Sequence, residues 1–141
     1  MDIRVGSNAK DIARRVGKKG KDLSDSVKRA LSITGQVGLT IIEDRTAKGE
    51  QINGLDFKPY SEEYTWFRAK NGRSVSNVDL QFTGNMLSSM SVKANSRYAT
   101  IFFTRATEAK KAAMNNKTRP FFGFSRNEEK RLGKVFFRYL K

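Results

Sequence analysis

Cysteine and histidine are both absent from this 141-residue chain. Without cysteine there is no disulfide, no thiolate nucleophile, no zinc ribbon and no iron–sulfur cluster. Without histidine the Ser–His and Cys–His arrangements are excluded, as are the commonest zinc ligand and the usual general base near neutral pH. No apolar run approaches ~18 residues, and the opening MDIRVGSNAK carries no apolar stretch of the kind a secretory signal needs. These absences lead to the expectation of a soluble, intracellular chain that is not an enzyme and has no cofactor, metal or membrane partner. Apolar residues are scarce too, at 38% against a usual value of about 45–50%. The core is therefore expected to be modest or completed by a partner.

Positive charge is what the chain has in excess. Lys and Arg number 28 against 14 Asp and Glu, a net charge of +14. Residues 1–70 hold 14 basic and 10 acidic side chains, and residues 71–141 hold 14 and 4, so the surplus is +4 and then +10. Such a balance favours an anionic partner, whether nucleic acid, an acidic protein face or anionic lipid. One local basic run opens the chain, with Arg4, Lys10, Arg14, Arg15, Lys18, Lys19 and Lys21 against Asp2 and Asp11. Gly17 and Gly20 interrupt it. Residues 1–20 are therefore read as a basic N-terminal arm or broken helix, and residues 21–141 as a single domain.

Periodicity supplies the elements. From Lys21 to Asp44, Leu23, Val27, Ala30, Leu31, Ile33, Val37, Ile41 and Ile42 recur at spacings of three and four, which predicts one long helix. Gly35 and Gly38 fall inside it, where close packing or a bend is expected. Ala47 to Lys58 reads as a loop. Pro59, then Ser61 with Glu62 and Glu63, marks a helix entry. Val78, Leu80 and Phe82 alternate with Asp79 and Gln81, predicting a half-buried strand. Met86 to Met90 is expected to form a helical turn. Ser91 to Ala94 and Arg97 to Thr104 read as a hairpin about Asn95-Ser96. A short helix is expected over Ala106 to Met114, with a loop from Asn115 to Thr118. Ser125 with Glu128 forms a capping box opening a last helix, with Leu132, Val135, Phe136, Tyr139 and Leu140 inward. The fold class is α+β: a long N-terminal helix and C-terminal helices packed on a small, mainly antiparallel sheet.

Several residue groups compete for a functional reading. Asp79 with Glu108-Ala-Lys110 imitates the acid and acid-x-Lys set by which some nucleases hold Mg²⁺. Its second half lies in Ala-Thr-Glu-Ala-Lys-Lys-Ala-Ala, a helical stretch, where Glu108 is expected to pair with Lys111 instead. Asn116-Lys-Thr118 fits a glycosylation acceptor, which carries no meaning without a secretory signal. Phe121, Phe122 and Phe124 are three rings in four positions, too many for one face of one element. They either plug the domain before the last helix or bury into a second subunit. Phe136 and Phe137 point to different sides of a helix, so one of them leaves the core.

Four motifs carry a resemblance. Arg45-Thr46-Ala-Lys-Gly49, Phe57-x-Pro59-Tyr60-Ser61-x-x-Tyr64, Asp79-Leu80-x-x-Thr83-Gly84-x-Met86-Leu87 and Arg119-Pro120-Phe121-x-Gly123-Phe124-Ser125 together resemble the virion morphogenesis proteins of tailed bacteriophages. The similarity runs from about residue 30 to the end, and the basic arm before residue 21 lies outside it. The resemblance implies a non-enzymatic subunit of a ring at the head–tail junction, as a neck, tail-completion or terminator protein. Its fold would place a long helix on a small sheet. Its partners would be further copies of itself, six favoured and twelve the alternative, and the neighbouring connector and tail tube proteins. Transient contact with genomic DNA in the channel is a further expectation. The location implied is the virion, with the host cytoplasm during assembly. Arg14, Arg15, Lys18 and Lys19 in the arm, with Arg119, Phe121, Phe122, Phe124 and Phe137, form the candidate interface. The alternative reading is a small basic nucleic-acid-binding protein.

Overall fold

The computed structural model describes residues 1–6, 20–81 and 83–140. Strand β1 (Asp2–Gly6) is followed by helix α1 (Gly20–Ala47), α2 (Glu62–Lys70), the single turn α3 (Asn85–Ser88), β2 (Met90–Ala94), β3 (Tyr98–Phe103), α4 (Ala106–Thr118) and α5 (Arg126–Tyr139). This is an α+β domain in which the long first helix packs on a small antiparallel sheet. Among the described residues no helix is long and apolar enough to cross a membrane.

The sheet order is β1-β3-β2, antiparallel throughout. The hairpin is as read, with Ala94 opposite Ala99 and Met90 opposite Phe103. Asn95 closes it, its Oδ1 accepting from the Arg97 and Tyr98 amides at 2.8 and 3.0 Å. The first six residues correct the arm reading, because Asp2 to Gly6 pair with Phe102 to Tyr98. Ile3 and Val5 alternate with Asp2 and Arg4 in the two-residue period of a strand. Arg14, Arg15, Lys18 and Lys19 lie outside the described residues.

Helix α1 lies across the sheet and runs antiparallel to α5. Its first half buries Leu23, Val27, Ala30 and Leu31 with Ala99 and Phe136 in one apolar cluster. Ile42, near its end, joins a second cluster with Phe57, Leu80, Met86, Ile101, Phe121 and Phe122. Gly35 and Gly38 are the close-packing points: a Cβ on Gly35 would sit 2.6 Å from Val92 Cγ1, and one on Gly38 2.8 Å from Phe124 Cζ. The helix reaches its sheet because these two side chains are missing.

Two local readings are corrected. Val78 to Gln81 is not a strand. Asp79 Oδ1 accepts from the Gln81 amide at 2.9 Å, and Leu80 adopts φ of 56°, a left-handed conformation no strand contains. Phe82 lies outside the described residues. Asn115 to Thr118, expected as a loop, continues α4. Ser61 and Ser125 cap α2 and α5 as expected, the latter with the complete capping box. On α5, Leu132 and Phe136 are buried, Val135 is half-buried and Tyr139 is exposed. Tyr139 is the final helical residue, where no described element covers it.

Candidate subunit interface

The four motifs meet around two buried arginines. Arg45, in the last turn of α1, is 6% exposed. Its Nη1 donates to Glu128 Oε2, and its Nη2 to the carbonyls of Phe121 and, at 2.9 Å, Gly123. Pro120 supplies its carbonyl to the Ile52 amide at 3.0 Å, and Asn116 Oδ1 accepts from the Phe121 and Phe122 amides, each at 3.0 Å. The segment Arg119 to Ser125, which links α4 to α5, is thus tied by its backbone to α1, Ile52 and Asn116.

Arg68, on α2, is 1% exposed. Its guanidinium donates to the Ser74 carbonyl at 3.0 Å, the Gln81 carbonyl at 2.7 Å and Asp79 Oδ1 at 3.2 Å. It lies 5.0 Å from the Tyr60 ring, and Arg119 lies at the same distance from that ring. Arg119 also donates to the Lys58 and Pro59 carbonyls at 2.7 and 2.8 Å. Burial pushes the Tyr60 phenol above its ordinary range, against the lowering pull of Arg68. Its oxygen accepts from the Leu80 amide at 3.1 Å.

These contacts sort the candidates. Asp79 is engaged with Arg68, and Glu108 sits on a helix with Lys111 at 3.1 Å. Each acid of the acid and acid-x-Lys set is thus held by a cation outside that set, and no group of three or more acidic residues that could hold a metal ion occurs among the described residues. Arg119 serves as an internal clamp. Phe121 is 0% exposed, Phe122 is buried beside Phe103, and Phe124 is half-buried over Gly38. Phe121 and Phe122 thus leave the interface set, because the chain's own core closes over them. Phe137 stays in it at 59% exposed, with its neighbour Phe136 inside.

Phe137 borders a groove of about 640 Å³ between β1 and α5, lined by Ile3, Val5, Phe124, Leu132 and Gly133. A second aromatic surface was missed by sequence reasoning. On α2 Trp66 is 64% exposed, with Tyr64 and Phe67 also reaching solvent and Lys70 Nζ 4.8 Å from the Trp66 ring. The available signal was a lone tryptophan on a helix whose inner face is taken by an arginine. The outward face of α5 carries Arg126, Lys130, Arg131, Lys134 and Arg138, all exposed. Among the described residues none of these five is ion-paired.

The residues that create this surface are thus a strand–helix groove, an aromatic helix face and a basic stripe, set on a frame pinned by Arg45 and Arg68. Compared with known proteins, the chain matches no family model, no curated protein and no solved structure.

Proposed function

We propose that this protein is a non-enzymatic structural subunit that forms a closed ring at the head–tail junction of a tailed-phage particle, joining the tail to the capsid connector. The observation that carries this reading is the pair of exposed aromatic surfaces on different elements, one around Trp66 on α2 and one around Phe137 between β1 and α5. A head-to-tail contact needs two unlike patches on each chain, and such contacts form a ring where the rotation between neighbours closes. The resemblance supports it as well: Arg45, Tyr60, Asp79, Arg119 and Phe121 act as packing and clamping residues, which suits a structural role. Six copies are favoured and twelve are the alternative, with connector and tail tube proteins as axial neighbours. Particle mass and negative-stain images of the purified protein test this. A discrete ring supports it, and a chain that remains monomeric overturns it.

A second reading, a small nucleic-acid-binding protein, is favoured by the unpaired cations of α5. Duplex DNA titrated at several salt concentrations separates the two. Binding to phosphates weakens with a slope of about one unit per neutralised phosphate. A steep slope without ring formation selects the second reading. The arm cations Arg14, Arg15, Lys18 and Lys19 are assigned to docking on acidic neighbours. Neutralising all four should block head–tail joining while leaving heads filled; normal joining with altered DNA retention reverses that assignment.

A further inference from the structure

Gly133 lines the floor of the β1–α5 groove in the middle of a helix, and a Cβ built there meets nothing within 4 Å among the described residues. Glycine is a poor helix residue beside alanine, and among the described residues no contact requires it. This contrasts with Gly35 and Gly38, whose missing side chains admit Val92 and Phe124. The unfilled space at Gly133 opens outward, next to the exposed ring of Phe137 one turn further on. Gly133 thus behaves as a close-approach point for something outside the chain.

Charge indicates what approaches. On helical spacing Arg126, Lys130, Gly133, Lys134 and Phe137 form one ridge, so cations flank the outer edge of the groove, whose own lining carries Arg4 and Glu129 beside its apolar residues. On α2 the outward side presents Glu62, Glu63 and Trp66, all exposed, with Lys70 Nζ 4.8 Å from the Trp66 ring, while Arg68 faces inward. Glu62 and Glu63 beside a projecting indole complement the Lys130 and Lys134 edge of an apolar groove. Both occur on the same chain, on different elements.

We infer that α2 of one copy docks on the β1–α5 groove of the next, with Trp66 seated over Gly133 and against Phe137, and with Glu62 and Glu63 facing Lys130 and Lys134. The contact is heterologous, because the two faces differ, and its anchor is an aromatic ring of the kind that dominates interface energies. This contact rests on the ring reading and specifies its subunit interface.

The test uses the full chain and two readouts, thermal unfolding and self-association by sedimentation. Gly133→Ala should raise the melting temperature and weaken association about tenfold, a split that a purely structural glycine does not produce. Gly133→Leu and Trp66→Ala should each abolish association while leaving the fold intact. An equimolar mixture of those two variants should give a complex that stops at two chains, since each retains one intact face. Glu62→Lys with Glu63→Lys should abolish rings, as should Lys130→Glu with Lys134→Glu. All four changes in one chain should restore them. If wild type and Gly133→Leu form the same ring, this contact is wrong while the ring reading stands. If the wild type forms no oligomer, both fall together.

Discussion

One oxygen of Glu128 serves two partners from distant parts of the chain. Oε2 accepts from the Ser125 amide at 2.9 Å, completing the cap of α5, and the same atom accepts from the guanidinium of Arg45. A helix start and a buried cation 83 residues away are thereby fixed together. Nη2 of Arg45 holds the carbonyls of Phe121 and Gly123. The junction between α1, α5 and the aromatic segment is a single polar network inside an apolar surround.

Removing Arg45 should therefore be expensive. Taking one partner out of a buried pair costs about 3–5 kcal/mol, and the lower end applies because Glu128 is partly exposed. Arg45→Met is expected to lose about 3 kcal/mol in denaturant unfolding. Arg45→Lys should lose most of that as well, because one ammonium cannot span a carboxylate and two carbonyls as the planar fork does. Full stability in the lysine variant would show that charge alone is required.

Phe121 is fully enclosed among Ile42, Phe57, Phe103 and Phe122. Phe121→Ala should destabilise by about 3–5 kcal/mol, the range for truncating an enclosed aromatic ring. Chemical denaturation measures this directly. An unchanged midpoint would place the ring outside the cooperative core.

Glycine-to-alanine exchanges on the two long helices should have opposite signs. At Gly35 the new methyl would meet Val92 Cγ1 at 2.6 Å and Ala99 Cβ at 3.2 Å, and valine has little rotamer freedom with which to yield. Overpacking of this kind costs about 1–3 kcal/mol. At Gly133 nothing among the described residues obstructs the methyl, and about 1 kcal/mol of helix propensity is gained. Calorimetry of both variants should show one melting temperature falling and the other rising.

Alkaline pH should unfold the chain partly through Tyr60. Burial raises the phenol pKa in the folded state, so the folded chain resists ionisation that the unfolded chain accepts at about pH 10. The stabilisation is complete below that value and is lost as pH climbs through the folded pKa. Tyr60→Phe should flatten the decline in stability above about pH 10 relative to wild type. Parallel decline in the two proteins would assign the effect elsewhere.

The legible parts of the fold were those written within one helical turn or one tight loop. Ser125 and Glu128 lie three residues apart, and so do Glu108 and Lys111; both pairs form as their spacing implies. The hairpin at Asn95 and the long period of α1 are equally local. Alternation at Val78, Leu80 and Phe82 misled because Asp79 takes the Gln81 amide and Arg68 takes the Gln81 carbonyl. Strand β1 was hidden because Ile3 finds its partner Ile101 only in three dimensions. Buried arginines carry no sequence signature, so Arg68 goes unmarked and Arg119 stands among the interface candidates although it clamps the Lys58 and Pro59 carbonyls. Three phenylalanines in a row of four left core and interface undecided until the carbonyl contacts of Arg45 turned Phe121 inward.

The pairing of β1 with β3 also bears on timing during synthesis. Asp2 meets Phe102, a separation of 100 residues, and the β1–α5 groove adds residues 124–137 from the far side of the sequence. A ribosome must release the chain through residue 137 before that groove has both of its walls. Incomplete chains, whether nascent or truncated by a nonsense codon, therefore lack the surface on which a neighbour would seat.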